Sequence, residues 1–117
     1  MRLNLNSAMN VIGLDRGRLF DLLRIPTELR HWLKEKTFLD TETDQLSEDI
    51  GERVLLIACL IDEARGCFGG AENARHWFNR RNIALHDHKP KKIVFDGITG
   101  IERVRELISR TRHGIYS

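Results

Sequence analysis

Most apolar residues of the chain recur at spacings of three and four, which is the period of an amphipathic α-helix. The clearest run predicts a helix over residues 52–68, ended by Gly69 and Gly70. Further leucines widen its apolar stripe beyond one face, so we expect a central helix that is buried on more than one side. The stripe comprises Val54, Ile57, Ala58, Ile61, Ala64 and Phe68, and the widening residues are Leu55, Leu56 and Leu60.

The region before the central helix predicts a weak helix at residues 3–12 and then a hairpin of two short helices. Asp15 is placed to cap the first hairpin helix, which ends near Arg24. Pro26 suits the start of the second hairpin helix, at residues 27–36. The pattern predicts that the second helix turns three side chains inward, namely Leu29, Trp32 and Leu33.

The region after the central helix predicts three more helical segments. The first turns Ala74, Trp77 and Phe78 inward, and a short second one begins at Pro90 and ends near Gly97. The last segment is predicted to be capped by Thr99 and ended by Gly114, with an inward stripe of Ile101, Val104, Leu107, Ile108 and Thr111. Strand signals are scarce, so the predicted fold class is all-α. It divides into a small helix-turn-helix-like region at residues 1–47 and a compact helical domain at residues 48–117.

Charge changes sign twice along the chain, which has a net charge of +2. Residues 1–36 carry seven Lys or Arg and four Asp or Glu, residues 37–66 carry two and eight, and residues 67–117 carry ten and five. Basic ends around an acidic middle favour more than one kind of contact.

Three features of the sequence predict the cellular compartment of the protein. The longest apolar run has eight residues, too few to span a membrane. The N-terminal region has no sustained apolar stretch, so we expect no signal peptide. The two cysteines need no oxidising compartment. These features predict a cytoplasmic protein.

The N-terminal hairpin is compatible with DNA binding, because a second helix with a polar outer face can enter the major groove. The candidate DNA-binding residues are Arg16 and Arg18 for phosphates, and Thr27, Arg30, His31 and Lys34 on the second helix. Glu28 on the same outer face argues against this interpretation. The alternative is a plain helical hairpin that packs on the rest of the protein or on a second copy.

Signs of catalysis are thin, and we expect no enzymatic activity, cofactor or metal. His86, Asp87 and His88 alternate in a predicted loop, without a third ligand at suitable spacing. The serines lack the sequence context of an activated nucleophile. A solvated polar loop is therefore the simpler interpretation of the two histidines.

The last part of the chain resembles the C-terminal toxin-binding domain of the Xre/MbcA/ParS antitoxins. An Ala-x-x-Trp helix is followed by an Asn, a Leu, a Pro that opens a short helix, a Gly, a Val/Leu helix and a Gly-aliphatic-aromatic tail. The matching residues are Ala74, Trp77, Asn82, Leu85, Pro90, Gly100, Val104, Leu107, His113, Gly114, Ile115 and Tyr116. Arg81 departs from the pattern, since a Pro usually precedes the Asn. The N-terminal hairpin is shorter than a complete Xre-like DNA-binding region.

The resemblance implies a partner and a site. Such antitoxins bind RES-domain toxins, which consume NAD or transfer ADP-ribose from it, and block the NAD pocket with the C-terminal tail. The toxin-binding residues implied here are Arg110, Arg112, His113, Gly114, Ile115, Tyr116 and Ser117. Tyr116 offers a ring and Ser117 a carboxylate to the pocket, while the cationic residues line the approach. The resemblance also implies a homodimer, a hetero-oligomer with the toxin, and repression of the antitoxin's own operon.

Two other functions remain open from the sequence. One is a stand-alone helix-turn-helix repressor whose C-terminal half serves dimerisation. The other is a small metal-binding or catalytic domain that uses Cys67, His86 and His88.

Overall fold

A computed structural model describes residues 2–114 and shows a helical fold with one small sheet. The predicted toxin-binding residues Ile115, Tyr116 and Ser117 lie outside the described residues. Within residues 2–114, no helix combines the length and the apolar character needed to cross a bilayer. The elements are β1 (Arg2–Asn4), α1 (Leu5–Ile12), α2 (Arg16–Leu23), α3 (Thr27–Leu33), β2 (Phe38–Asp40), α4 (Glu48–Phe68), α5 (Ala71–Phe78), α6 (Pro90–Ile93) and α7 (Ile98–His113), with 3-10 turns at Ile83–Leu85 and Val94–Asp96.

The all-α prediction is confirmed, apart from one two-stranded antiparallel sheet. Leu3 of β1 lies opposite Leu39 of β2, and both side chains are buried. The sheet therefore ties the N-terminal segment to the connection before α4. Each strand has only three residues, too few to show the alternation by which a strand is recognised in a sequence.

The central helix is α4, and it begins earlier than the apolar pattern predicts. The Ser47 side chain accepts a hydrogen bond from the Ile50 N–H and so caps the helix at residue 48. Leu60 is fully buried, as the widened stripe predicts, whereas the inclusion of Leu55 is wrong, because 44% of that residue is exposed. Helices α1, α5 and α7 pack around α4, so this helix is the centre of the molecule.

Predictions in the N-terminal hairpin hold for α2 and fail for one residue of α3. The Asp15 carboxylate accepts a hydrogen bond from the Arg18 N–H at 2.8 Å, which confirms the predicted cap of α2. Trp32 was predicted to point inward but is 77% exposed. Leu29 and Leu33, four positions apart, face the core together, and Trp32 is turned about 100° away from Leu33.

The predicted cap of the last helix is also wrong. Thr99 lies inside α7, which starts at Ile98 directly after Gly97. Gly97 has φ 96° and ψ −158°, a conformation that favours glycine, and no side chain caps the helix. The preceding 3-10 turn brings the chain to the helix start without room for a longer connection.

One hydrophobic core contains residues from both halves of the chain. Leu5 and Leu19 of the N-terminal region are buried in the same cluster as Ile57, Phe78 and Ile108. The two predicted regions therefore share their apolar interior, and the boundary after residue 47 stays a prediction.

Arg53 is a charged side chain inside this core, and its replacement tests the cost of burying it. Arg53 is 6% exposed, and its Nε and Nη1 atoms have no hydrogen-bond partner among residues 2–114. The Nε atom lies 3.7 Å from Asp49 Oδ2, beyond good hydrogen-bonding distance. Because unpaired buried donors cost about 1–3 kcal/mol, we expect Arg53→Met to raise the free energy of unfolding in urea by about 1–2 kcal/mol.

The matched control at this position is Arg53→Ala, which removes the same charge and leaves a cavity. We expect Arg53→Ala to be less stable than Arg53→Met, because the methionine fills the space of the arginine stem. A loss of stability in Arg53→Met relative to the wild type would show that the guanidinium is well accommodated.

Candidate toxin-binding surface

Trp77, the aromatic residue of the Ala-x-x-Trp motif, packs against two phenylalanines. Trp77 stacks on Phe68 with ring centroids 4.9 Å apart and meets Phe78 edge-on at 5.2 Å. Ala74, one turn before Phe78 on α5, is fully buried, as predicted. The Ala-x-x-Trp pattern therefore fixes α5 against the end of α4.

Asn82 shapes the loop that follows α5. Its side-chain oxygen accepts a hydrogen bond from the Ala84 N–H at 2.9 Å, and its carbonyl accepts from Leu85 and Asp87. Its own N–H donates to the His88 carbonyl at 3.1 Å. The three backbone bonds close the loop around the buried Leu85, and the side-chain bond to Ala84 is the one that requires an asparagine or a similar short polar residue. Arg81, in the place of the usual proline, pairs with Asp87 at 3.7 Å.

Gly100 allows α7 to start directly beside α6. A β-carbon at Gly100 would lie 2.0 Å from the Ile93 carbonyl oxygen and 3.0 Å from the Asp96 β-carbon. Pro90 occupies the first turn of α6 and is buried beneath this junction. The motif glycine is thus required by a close approach of two backbone segments.

Helix α7 is fixed to α4 by an apolar stripe and by an ion pair. Val104, Leu107 and Ile108 are buried, as the periodicity predicts. Arg105 donates hydrogen bonds to both Glu63 oxygens, at 2.8 and 3.0 Å. The hydrogen bond to Glu63 raises the pKa of Arg105 above its ordinary value, so this arginine stays charged and paired. The end of α7 is held on a rigid support.

The predicted toxin-binding residues that the structure describes come together on the last turn of α7. Arg110, Arg112 and His113 are exposed, and Arg110 pairs with Glu106. Gly114 adopts φ 67° and ψ 23°, and its N–H donates to the Arg110 and Thr111 carbonyls, which confirms the predicted end of the helix. The basic side chains of this last turn also suit the negative end of the helix dipole.

Ile83 is an exposed apolar residue beside this turn that the sequence interpretation missed. It lies in the 3-10 turn after α5 and is 90% exposed. The next two residues, Ala84 and Leu85, line a shallow cavity of about 110 Å³ together with Arg103 and Arg110 of α7. An isoleucine inside the polar stretch "NIALHDH" was the available signal. A single exposed apolar residue is ordinary on a protein surface, so Ile83 is a candidate contact because of its place next to residues that share a cavity with Arg110.

The residues of the metal or catalytic hypothesis do not form a site in the described part of the chain. No group of three His, Cys, Asp or Glu residues within 2–114 is arranged to hold a metal ion. The Cys67 thiol donates a weak hydrogen bond to the Ile108 carbonyl at 3.8 Å, and burial raises its pKa. Cys67 therefore remains a protonated thiol that packs between α4 and α7.

The candidate DNA-binding residues divide into bonded and available side chains. Arg16 donates to the carbonyl of Leu33, the last residue of α3, and at 2.8 Å to the Lys36 carbonyl just after it. Arg30 donates to the Ile25 carbonyl and pairs with Asp21 at 2.9 Å. These two arginines thus stabilise the hairpin itself. The exposed members of the set are Arg18, Thr27, His31 and Lys34.

In comparison with protein families, residues 63–114 match the antitoxin Xre/MbcA/ParS C-terminal toxin-binding domain. The resemblance found in the motif is confirmed for this part of the chain. No curated protein and no solved structure gives a match. The matched range runs from the C-terminal part of α4 to the glycine that ends α7.

Proposed function

We propose that the chain neutralises a RES-domain toxin, an enzyme that degrades NAD or transfers ADP-ribose from it, by inserting residues 114–117 into the toxin's NAD pocket. The observation that carries the proposal is the construction of the α7 end. Gly114 ends the helix within the matched toxin-binding domain, and exposed cationic residues surround the point where the tail leaves. In this proposal the antitoxin performs no chemistry of its own.

The residue types around the exit point suit a pocket that holds a dinucleotide. Tyr116 offers a ring of the kind that fills the aromatic-lined part of such a site. Arg112 and His113 form no ion pair with any residue from 2 to 114, so both are available for acidic groups at the pocket rim.

The experiment is co-expression of the chain with the protein encoded beside its gene, which the proposal expects to be a RES-domain toxin. The proposal expects restored growth and restored cellular NAD, and inhibition of the purified toxin by the purified antitoxin. If the two proteins do not bind each other, or if bound toxin keeps its full activity, the proposed function is wrong.

Ile83 extends the proposed contact from the tail to the side of the domain. Because Ile83 is almost fully exposed, Ile83→Ser removes apolar contact area without affecting the core. We expect the dissociation constant for the toxin to rise about tenfold or more, as for a typical interface anchor, with an unchanged melting temperature. The matched control is Leu55→Ser on α4, which is exposed and outside the matched range. Equal effects of the two substitutions would remove Ile83 from the interface.

We further propose that the antitoxin binds DNA upstream of its own gene and represses its operon as a homodimer. Support comes from the basic N-terminal segment and from the exposed residues Arg18, Thr27, His31 and Lys34. The test is an electrophoretic mobility shift with that upstream DNA, with and without toxin. The outcome against it is a lack of binding to this DNA at low salt.

A further inference from the structure

We propose that the main contact with the DNA backbone is a basic groove formed by Arg18, Lys89, Lys91 and Lys92, between the start of α2 and α6. This inference rests on the proposed DNA binding and gives it a location. Three of its four cations lie in the matched toxin-binding domain. The groove is thus built by both halves of the chain, and it lies apart from the predicted contacts on α3.

The groove is an open cavity of about 410 Å³. Its lining comes from residues 13–15 and Arg18 on one side of the sequence and from Lys89, Lys91, Lys92 and Phe95, at and just after α6, on the other. The Arg18 guanidinium carbon lies 4.7 Å from the centre of the Phe95 ring, so a cation–π contact orients this arginine. The cations are therefore placed around one cavity by two separate elements.

These cations are free to bind an external anion. No ion pair joins Arg18, Lys89, Lys91 or Lys92 to a carboxylate within residues 2–114. The one carboxylate in the groove lining, Asp15, accepts the hydrogen bond that caps α2. Arg16 and Arg30, in contrast, are bonded within the hairpin. Phosphates can therefore reach the groove cations without breaking an internal bond, as they can reach Lys34 at the end of α3, but only the groove places several free cations around one cavity.

The cationic surface continues past the groove. A neighbouring cavity of about 410 Å³ is lined by Lys89 and Lys92 again, and by Arg81, His86 and His88. Asp87 is also in this lining, and it is paired with Arg81. Two adjoining cationic cavities fit successive phosphates of a nucleic-acid backbone better than a single small anion.

The composition of the groove favours DNA over an acidic protein as its partner. Protein interfaces contain exposed apolar anchors at their centre. The large exposed apolar residues of the described chain, Trp32, Phe38, Leu55 and Ile83, line neither cavity. Lysines that reach phosphates bind in a manner that is independent of sequence. The groove therefore supplies affinity and orientation, and base recognition is left to other residues.

The experiment compares two variants with the same loss of charge. The groove variant is Lys89→Ala/Lys92→Ala, and the control is Arg65→Ala/Arg103→Ala, in which both arginines are exposed and outside the two cavities. Binding of the full chain to a labelled duplex of the upstream DNA, and to a scrambled duplex, is measured by fluorescence anisotropy between about 50 and 200 mM salt. Circular dichroism checks that both variants keep the wild-type helix content.

The groove variant is expected to bind both duplexes at least tenfold more weakly than the control. Its slope of log affinity against log salt should be smaller by about two, one for each lysine removed. As a second measurement, duplex DNA should protect Lys89, Lys91 and Lys92 of the wild-type protein from acetylation. That protection is read by mass spectrometry and needs no variant.

Three results would overturn the proposal. Wild-type affinity and slope in the groove variant, with a loss in Lys34→Ala instead, would place the contact on α3. Normal DNA binding with failure to neutralise the toxin would assign the groove to a protein partner. Lack of DNA binding by the wild type, with toxin neutralisation intact, would remove DNA binding and leave the proposed antitoxin action standing.

Discussion

Antitoxin that lacks residues 115–117 is expected to fold normally and to leave its toxin active. The deletion keeps Gly114, whose N–H bonds to Arg110 and Thr111 end α7. The buried anchors of α7, from Ile101 to Ile108, are also retained. Since the tail is the proposed occupant of the NAD pocket, we expect its loss to raise the inhibition constant about a hundredfold or more.

Binding of the toxin and inhibition of its activity are measured separately. Toxin capture by the truncated antitoxin should persist in part, because the proposed surface at Ile83 remains, while NAD consumption continues. The matched control is full-length antitoxin with Gly66→Ala, a change in open space on α4. Full protection by the truncated chain, with the toxin inhibited as before, would contradict pocket occlusion and leave binding elsewhere as the mode of inhibition.

Gly100→Ala is expected to be the most destabilising small substitution in the C-terminal domain. The new β-carbon would lie 2.0 Å from the Ile93 carbonyl oxygen, and a backbone atom in a packed junction cannot move aside as a flexible side chain can. Helix α7 must therefore shift away from α6, and the buried side chains at the start of α7 lose packing contacts. We expect the free energy of unfolding to fall by about 2–4 kcal/mol.

The control for this substitution is Gly66→Ala, which makes the same chemical change in another helix. Gly66 has no atom within 4 Å of the position of an added β-carbon. Because alanine favours a helix interior more than glycine does, Gly66→Ala should raise stability by about 0.5–1 kcal/mol. Urea denaturation of both variants gives the comparison. A Gly100→Ala protein as stable as the wild type would show that the α6–α7 junction is looser than its geometry indicates.

The deletion of residues 115–117 and the Gly100→Ala substitution both affect how α7 presents the proposed tail. Gly100 fixes where α7 begins, and the Arg105–Glu63 pair fixes α7 on α4. Gly114 ends α7 in the left-handed conformation, directly before the proposed tail. If α7 shifts in Gly100→Ala, the tail is presented at a different place, so this variant should also neutralise toxin less well at temperatures where it remains folded.

The motif that revealed the family consists mostly of residues that build the fold. Ala74, Trp77 and Leu85 are buried, Asn82 closes a loop, and Gly100 allows a close contact. The residues proposed to touch the toxin, such as Ile83 and Arg112, are exposed and outside that scaffold. This division explains how the family was recognised from the sequence while the contact surface was recognised only in part.

The main helices and several of their ends could be predicted from the order of the amino acids alone. Apolar periodicity predicts α2, α4, α5 and α7, and the end residues Asp15, Gly69 and Gly114 act where they were predicted. Helix formation and helix ends depend on residues within a few positions of each other, so they can be predicted from the local sequence pattern.

Which side chains are exposed or free of internal bonds depends on how the helices pack against one another. Whether Trp32 is exposed depends on the direction in which α3 meets the core, and whether Arg16 is available depends on carbonyls near residues 33–36. The basic groove joins Arg18 to lysines some seventy positions later in the chain, as the numbering shows. Contacts between distant segments arise from packing around α4, and spacing along the sequence contains no information about them.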